Sequence, residues 1–299
     1  MFLTVCLSST IQKTVSFPGV ALGEVNRSSS YRLDASGKAL NTARVLNQLE
    51  KGCVLSICPL GKENADLFKK LAKTGDLYYK SVEIPGFTRE CVTILDDKIH
   101  STTELVVGEP EIKFDVESAE KKLLKLIKKS LPKTDAVILA GSRPVFWSDD
   151  LQAKICSLVK ENGKILLADF CGKDLIFTLK NCTPDIIKIN EEEFCKTFGF
   201  LFPLTVEELR TKITEKSREL KNIIIITRGK DETFAAKNGE FFSCPTESVN
   251  AVNTIACGDS FNAGFIYEFV KSGDMEKSLQ KGTWCAARNA ESIVPGNVL

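Results

Sequence analysis

The sequence predicts an α/β fold built on a mainly parallel sheet. Three observations predict it. Short β-branched runs alternate with amphipathic stretches of helical period along most of the chain. The run 222–227 is nearly continuous apolar, as a strand covered on both faces must be. The 299 residues, 43% of them hydrophobic, suffice for one large buried core, alone or with a small second unit. Alternation of this kind closes by right-handed crossovers between parallel neighbours.

In chain order, residues 2–7 read as the first strand. That segment lacks a basic flank and is too short for a secretory leader, so the expected location is cytoplasmic. Residues 11–35 hold short alternating segments and turns without a helix. A long helix follows over 38–50, then a strand over 53–57 and a helix over 65–73. Residues 84–107 again lack helical period. Segments 90–95 and 100–107 are joined through Asp96-Asp97-Lys98, a hairpin-like turn. These two β-rich excursions from one core are expected to pair as a small sheet. Helices are predicted over 116–129, 149–161, 206–219, 260–271 and 275–292, and strands over 136–139, 165–168, 186–188 and 222–227. There is no internal repeat and no low-complexity linker.

Composition excludes several functions. Net charge is +1, and the basic pairs Lys121-Lys122 and Lys128-Lys129 fall on the solvated face of an amphipathic helix, so nucleic acid is not an expected partner. No apolar run reaches the length of a membrane span. The 11 cysteines are scattered and none forms Cys-x-x-Cys, so neither a zinc site nor a disulfide framework is expected, only buried free thiols. His100 is the single histidine, read as lying on a surface strand, which discounts a Ser-His-Asp triad and a multi-histidine metal site.

The stretch 253–265 carries the strongest chemical signal. It passes from polar through small residues into an apolar helix whose face holds Phe261, Phe265 and Phe269. The helix must start close to Gly258-Asp259. The free N–H groups of such an end attract anions, phosphates above all. Asp259 sets a carboxylate there. It would serve as a cap in any helix, but beside an anion site it also suits a general base for phosphoryl transfer to a hydroxyl.

Four further segments fit that chemistry. Ser36-Gly37-Lys38 opens the first long helix, with Asn41 a turn later. It is neither a P-loop nor a Gly-x-Gly-x-x-Gly fingerprint. Gly141-Ser142-Arg143-Pro144 follows a strand directly, where open α/β sheets bind ligands. Asn190 and Glu193 begin a helix, where acidic residues cap; they could instead orient water around magnesium, which prefers oxygen ligands. Residues 227–232, Thr-Arg-Gly-Lys-Asp-Glu, end a strand with small and polar groups suited to a nucleotide.

Together these segments resemble the ribokinase-like sugar kinases, the phosphofructokinase B family, over essentially the whole chain and in order. The branch that looks most similar is that of 1-phosphofructokinase and tagatose-6-phosphate kinase. Residues 7–15 stand where that branch has Leu-Asn-Pro-x-x-Asp-Lys-Thr-Val, and residues 22–27, Leu-Gly-Glu-Val-Asn-Arg, match it closely. Residues 36–41 match its Gly-Gly-Lys-Gly-x-Asn. Thr88-Arg89 and Thr103-Glu104 sit at its lid motifs. The family's Gly-Ser-x-Pro, Asn-x-x-Glu and Gly-Ala-Gly-Asp correspond to 141–144, 190–193 and 256–259.

The resemblance implies a single three-layer α/β/α sandwich over 1–299, with a β lid from about 11–35 and 84–107 that excludes water and often mediates dimers. It implies transfer of the ATP γ-phosphoryl group to a sugar-phosphate hydroxyl, with Mg2+ as cofactor. Asp259 is then the base, and Ala256, Cys257 and Gly258 form the anion hole with it. Gln12, Arg27, Gly37, Lys38, Asn41, Arg89, Glu104 and Ser142 hold the acceptor. Arg27, Lys38 and Arg89 grip its phosphate. Asn190, Thr227, Gly229, Asp231, Gly258 and Asn289 hold the nucleotide, and Asn190 and Glu193 organise the metal through water.

Five positions depart from the family pattern. Gln12 replaces an Asp that contacts sugar hydroxyls, Ala39 and Ala256 replace glycines, Asn253 stands where Asp or Ser is frequent, and Glu232 replaces a glycine near the adenine site. Alanine is costly wherever φ must be positive. Two other functions stay open at this point: a weakly catalytic homologue that senses nucleotide or sugar phosphate, and a kinase of an unphosphorylated sugar or nucleoside.

Overall fold

The computed structural model describes residues 1–108 and 112–299. Among them, nine strands form one sheet in the order β13-β12-β11-β10-β9-β8-β1-β4-β5. These strands are β1 (Phe2–Val5), β4 (Val54–Gly61), β5 (Tyr79–Ile84), β8 (Ala136–Ala140), β9 (Ile165–Asp169), β10 (Ile186–Asn190), β11 (Ile223–Arg228), β12 (Asp231–Lys237) and β13 (Glu240–Cys244). From β5 to β11 every neighbouring pair is parallel; only the β11–β12 and β12–β13 pairs are antiparallel.

The sheet is covered on both faces, and the pleat sorts its side chains between them. Ile223 and Ile225 of β11 join one core with Leu40, Phe68, Phe261 and Phe265. Ile224 and Ile226 join the other, with Leu123, Ile155, Trp147 and Phe194. The period of two makes a continuous apolar run the only pattern that satisfies both layers. The first layer contains α1 (Lys38–Leu49), α2 (Ala65–Thr74), α8 (Cys257–Ser272) and α9 (Met275–Ala290). The second contains α3 (Val116–Ser130), α4 (Leu151–Glu161), α5 (Gly172–Asn181), α6 (Glu191–Phe198) and α7 (Val206–Leu220). On α8 the rings of Phe261, Phe265 and Phe269 stack in series at 6.1 and 5.6 Å, as their four-residue spacing requires.

The second sheet has the order β3-β2-β6-β7, from β2 (Thr10–Phe17), β3 (Tyr31–Ser36), β6 (Arg89–Asp96) and β7 (Ser101–Val106). The two excursions thus pair as expected, through the parallel β2–β6 contact.

Several expectations need correction. The edge strand β5 and the short helix α5 were not predicted. Helix α8 begins at Cys257, three residues before the range 260–271 and one before the start placed close to Gly258-Asp259. His100 lies in the turn between β6 and β7 with φ 51, not on a strand. The cysteines are not all free: Cys156 on α4 is bonded to Cys182 at the end of α5, with Cα atoms 6.2 Å apart. Their separation of 26 residues gave no sign of this, because packing of α4 on α5 brings them together.

Candidate active site

A cavity of about 500 Å³ opens at the carboxyl ends of the parallel strands, between the N-termini of α1, α6 and α8 and the polar face of the small sheet. Ala256 precedes α8 in the left-handed region, φ 66 and ψ 9. Cys257 N–H turns back to the Thr254 carbonyl at 3.4 Å and Ser260 N–H donates to Ala256 O at 2.8 Å. Those of Ala256, Gly258 and Asp259 have no partner among the described residues. Unpaired N–H groups at a helix start form an anion site.

Asp259 is 6% exposed. Its Oδ2 accepts from Asn41 Nδ2 at 2.9 Å, and its carbonyl accepts from Thr42 Oγ1 at 3.1 Å. Burial, then the nearby Asp169 charge, pushes its carboxyl up to about 6, against the pull of Lys38 and Asn41. Asp169, at the end of β9, is 1% exposed. It accepts from Lys38 Nζ at 3.1 Å, Lys188 Nζ at 3.3 Å and Asn262 Nδ2 at 2.6 Å. Burial works to raise its carboxyl, but the Lys188 and Lys38 charges overcome this and hold it at about 2. Two lysines thus converge on one buried carboxylate while the second carboxylate stands apart with an elevated proton affinity. The pair is split into a permanent anion and a group that titrates near neutrality, the pattern of an acid–base site.

Small residues make room for these charges. A Cβ at Gly258 would fall 2.7 Å from Lys188 Nζ, so glycine leaves room for the lysine end to lie beneath the helix start without moving. Gly37 has φ 135, and a Cβ there would meet Cys6 Sγ at 2.8 Å. The two alanine departures separate here. Ala39 lies inside α1 and is absent from the positive-φ residues, so its helical position has no need of glycine, whereas Ala256 holds φ 66.

On the small sheet, Gln12 is buried and donates Nε2 to Thr93 Oγ1 at 2.8 Å. Arg89 Nε donates to Thr10 Oγ1 at 3.0 Å. Glu104 faces the same space, its carboxyl raised by burial. At the opposite end, Asn190 and Glu193 form a full capping box: Glu193 N–H donates to Asn190 Oδ1, and Asn190 N–H donates to Glu193 Oε2. Both also line the cavity, and Glu193 Oε1 makes no hydrogen bond among the described residues.

Of the residues picked from sequence, Ala256, Cys257, Gly258, Asp259, Gln12, Gly37, Lys38, Asn41, Arg89, Glu104, Ser142, Asn190, Glu193, Thr227 and Gly229 converge on this one cavity. Three do not line it. Arg27 is exposed in the loop between β2 and β3, and Asp231 is exposed at the start of β12. Asn289 is 1% exposed behind the α8 loop, where it donates to Ile255 O at 2.8 Å and accepts from Gly296 N–H at 2.6 Å. Sequence reasoning missed Asp169, Lys188 and Asn262. A lysine between Ile187 and Ile189 in a central strand was the available signal for Lys188.

Known proteins carry this architecture. Residues 1–297 match the pfkB family carbohydrate kinase profile. Tagatose-6-phosphate kinase from Staphylococcus epidermidis is 27% identical over 300 aligned positions, covering 100% of this chain and 94% of that protein. A possible 1-phosphofructokinase from Thermotoga maritima superposes with a TM-score of 0.87 at 18% identity, covering 99% of this chain and 93% of that one. Ribokinase from Thermotoga maritima superposes at 0.72 with 19% identity, covering 99% and 94%. The match runs through both sheets and every segment that builds the cavity, and the chain belongs to the pfkB family of carbohydrate kinases.

Proposed function

We propose that this kinase transfers the γ-phosphoryl group of ATP to a hydroxyl of a sugar phosphate. The observation that carries the reading is Asp259: a buried carboxyl titrating at about 6, set among unpaired N–H groups at the start of α8. Ionised, it accepts the hydroxyl proton as the acceptor oxygen attacks. The amides of Gly258 and Asp259, with the Lys188 ammonium beneath them, stabilise charge on the transferring group. Lys38 and Arg89 line the acceptor half and give a phosphorylated sugar an ionic partner that a neutral sugar lacks. Arg27 stands outside the cavity and is not part of this grip.

Thr227, Gly229 and Asn190 line the other half and are assigned to the nucleotide. Glu193 fits a water-held magnesium ion, since one carboxylate oxygen is fixed by the cap and the other is left for a hydrated cation. Such an ion, when bound, supplies charge neutralisation at the phosphates. The small sheet acts as the lid, and its outer face, where Tyr31 is 65% and Leu105 50% exposed, is the proposed contact of a homodimer. Leu105→Arg should then lower the sedimentation mass without raising KM for ATP.

The relatives point to a ketohexose phosphate: one is a tagatose-6-phosphate kinase and another a possible 1-phosphofructokinase. The test is ADP release over tagatose 6-phosphate, fructose 1-phosphate, fructose 6-phosphate and the corresponding free sugars. A phosphorylated acceptor should be preferred by kcat/KM. Equal use of free and phosphorylated sugars would remove Lys38 and Arg89 from the assignment.

A further inference from the structure

We infer that Arg44 is a positioning residue: it fixes which way the Asn41 amide faces, and through that amide it holds Asp259 ready to accept a proton. The inference rests on the proposed role of Asp259 as base.

Arg44 lies on α1 and is 7% exposed. No carboxylate among the described residues forms an ion pair with it. Its guanidinium instead donates to oxygens of neutral groups: Ala35 O at 2.6 Å, Pro295 O at 2.7 Å and Asn41 Oδ1 at 3.1 Å. Burial pulls the guanidinium down from its ordinary value. The Asp34 charge opposes this only in part. A buried cation with no carboxylate in contact is costly, and a hydrophobic side chain of similar length would cost less if packing were the only need.

The geometry around Asn41 supplies the need. Oδ1 accepts from Arg44 Nη1 and from Ser36 Oγ at 3.0 Å, while Nδ2 donates to Asp259 Oδ2 at 2.9 Å. A guanidinium has donors only and an ionised carboxylate has acceptors only. Between them the amide has a single satisfying orientation. Flipped, it would set NH2 against the guanidinium and a carbonyl oxygen against the carboxylate. Gly296 closes the arrangement from the side: a Cβ there would meet Asn41 O at 3.1 Å and Arg44 Nη1 at 3.4 Å. The charged and titratable groups that face Asp259 are Lys38 and Arg44 on α1, Asp169 on β9, Lys188 on β10, Cys257 on α8 and Cys6 after β1. Of these only Arg44 touches the Asn41 side chain.

The test is a double-mutant cycle read directly at the carboxyl. Asp259 is titrated by carbon-13 NMR in carboxyl-labelled wild type, Arg44→Met, Asn41→Ala and the double variant, with the resonance assigned by its loss in Asp259→Asn. The acid limb of kcat/KM is recorded alongside. Arg44→Met should raise the Asp259 midpoint by about one pH unit, since a hydrogen bond to the charged form is lost. In the Asn41→Ala background the same substitution should do much less, because no amide remains to orient. An equal shift in both backgrounds would mean that Arg44 acts by its charge alone and would overturn the inference. If Arg44→Met does not fold, Ser36→Ala leaves the buried charge in place and removes the other donor to Oδ1; it should shift the midpoint upward by a smaller amount, and no shift would equally overturn it. The NMR midpoint does not depend on turnover, so a wild type inactive on every sugar phosphate would sink the proposed function while leaving the role of Arg44 decided.

Discussion

At the scale of single residues, the site is governed by two carboxylates of opposite tendency. Asp259→Asn should fold and lose about 10²–10⁴-fold in turnover, because an amide cannot take the hydroxyl proton. Wild-type activity should rise with pH through about 6, as Asp259 ionises. Stability moves the other way. A folded-state pKa raised from 3.8 to about 6 stabilises the fold fully below pH 4, and that contribution is lost as pH rises through 6. Asp259→Asn should therefore be more stable than wild type at pH 8, by up to about 3 kcal/mol, with the difference vanishing near pH 4; thermal melts across this range check it. Ala256 presents a different case. Its φ of 66 costs an alanine what glycine avoids, so Ala256→Gly should gain about 1 kcal/mol and raise kcat for every acceptor alike. A gain confined to one sugar would mean that Ala256 shapes acceptor choice instead. Asp259, Lys38 and Asn41 were legible because each sits in a short motif at a helix start. Asp169 and Lys188 were not: they are lone polar residues ending or interrupting apolar strands, and only the ordering of β9 beside β10 joins them.

At the scale of elements, the long amphipathic helices were readable from period alone, and their ends fell within a few residues of prediction. The failures have a common cause. The edge strand β5 is covered on one side and carries polar residues at Lys80, Ser81 and Glu83, while α5 buries only Leu175 and Thr178, so neither shows a clear period. The small sheet was legible as two β-rich excursions, although their parallel junction is a non-local contact no turn could announce. That junction matters to chemistry, since it seats Arg89 opposite Thr10 at the mouth of β6. Arg89→Ala should raise KM for the sugar phosphate by an order of magnitude or more, in line with about 1.5–3 kcal/mol for hydrogen bonds to charged groups, and leave KM for ATP nearly unchanged. Parallel increases in both constants would indicate that Arg89 supports the sheet and not the acceptor.

For the whole molecule, the sheet with two covered faces does more than bury hydrophobic surface. Because its central strands are parallel, their carboxyl ends all point to one edge, and a polar residue at or near a strand end can arrive there without a loop of its own. Asp169, Asn190 and Thr227 all reach the cavity region in this way. This is why the fold could be read from pattern, while site residues were read where a short motif marked a helix start, a strand end or the small sheet, and missed where a lone polar residue stood in an apolar strand.

The sharing of Asp169 by two lysines also makes the cavity an adjustable electrostatic reservoir. With Asp169 held ionised and the Lys38 ammonium stabilised by it, Asp259 is the group whose charge changes near neutrality. Lowering the pH through 6 adds one positive charge to the cavity that is proposed to take the polyanionic substrates. Nucleotide binding should tighten over the interval in which turnover fails, so equilibrium affinity and kcat plotted against pH should cross. The slow, acidified enzyme would then hold its nucleotide more firmly than the working one.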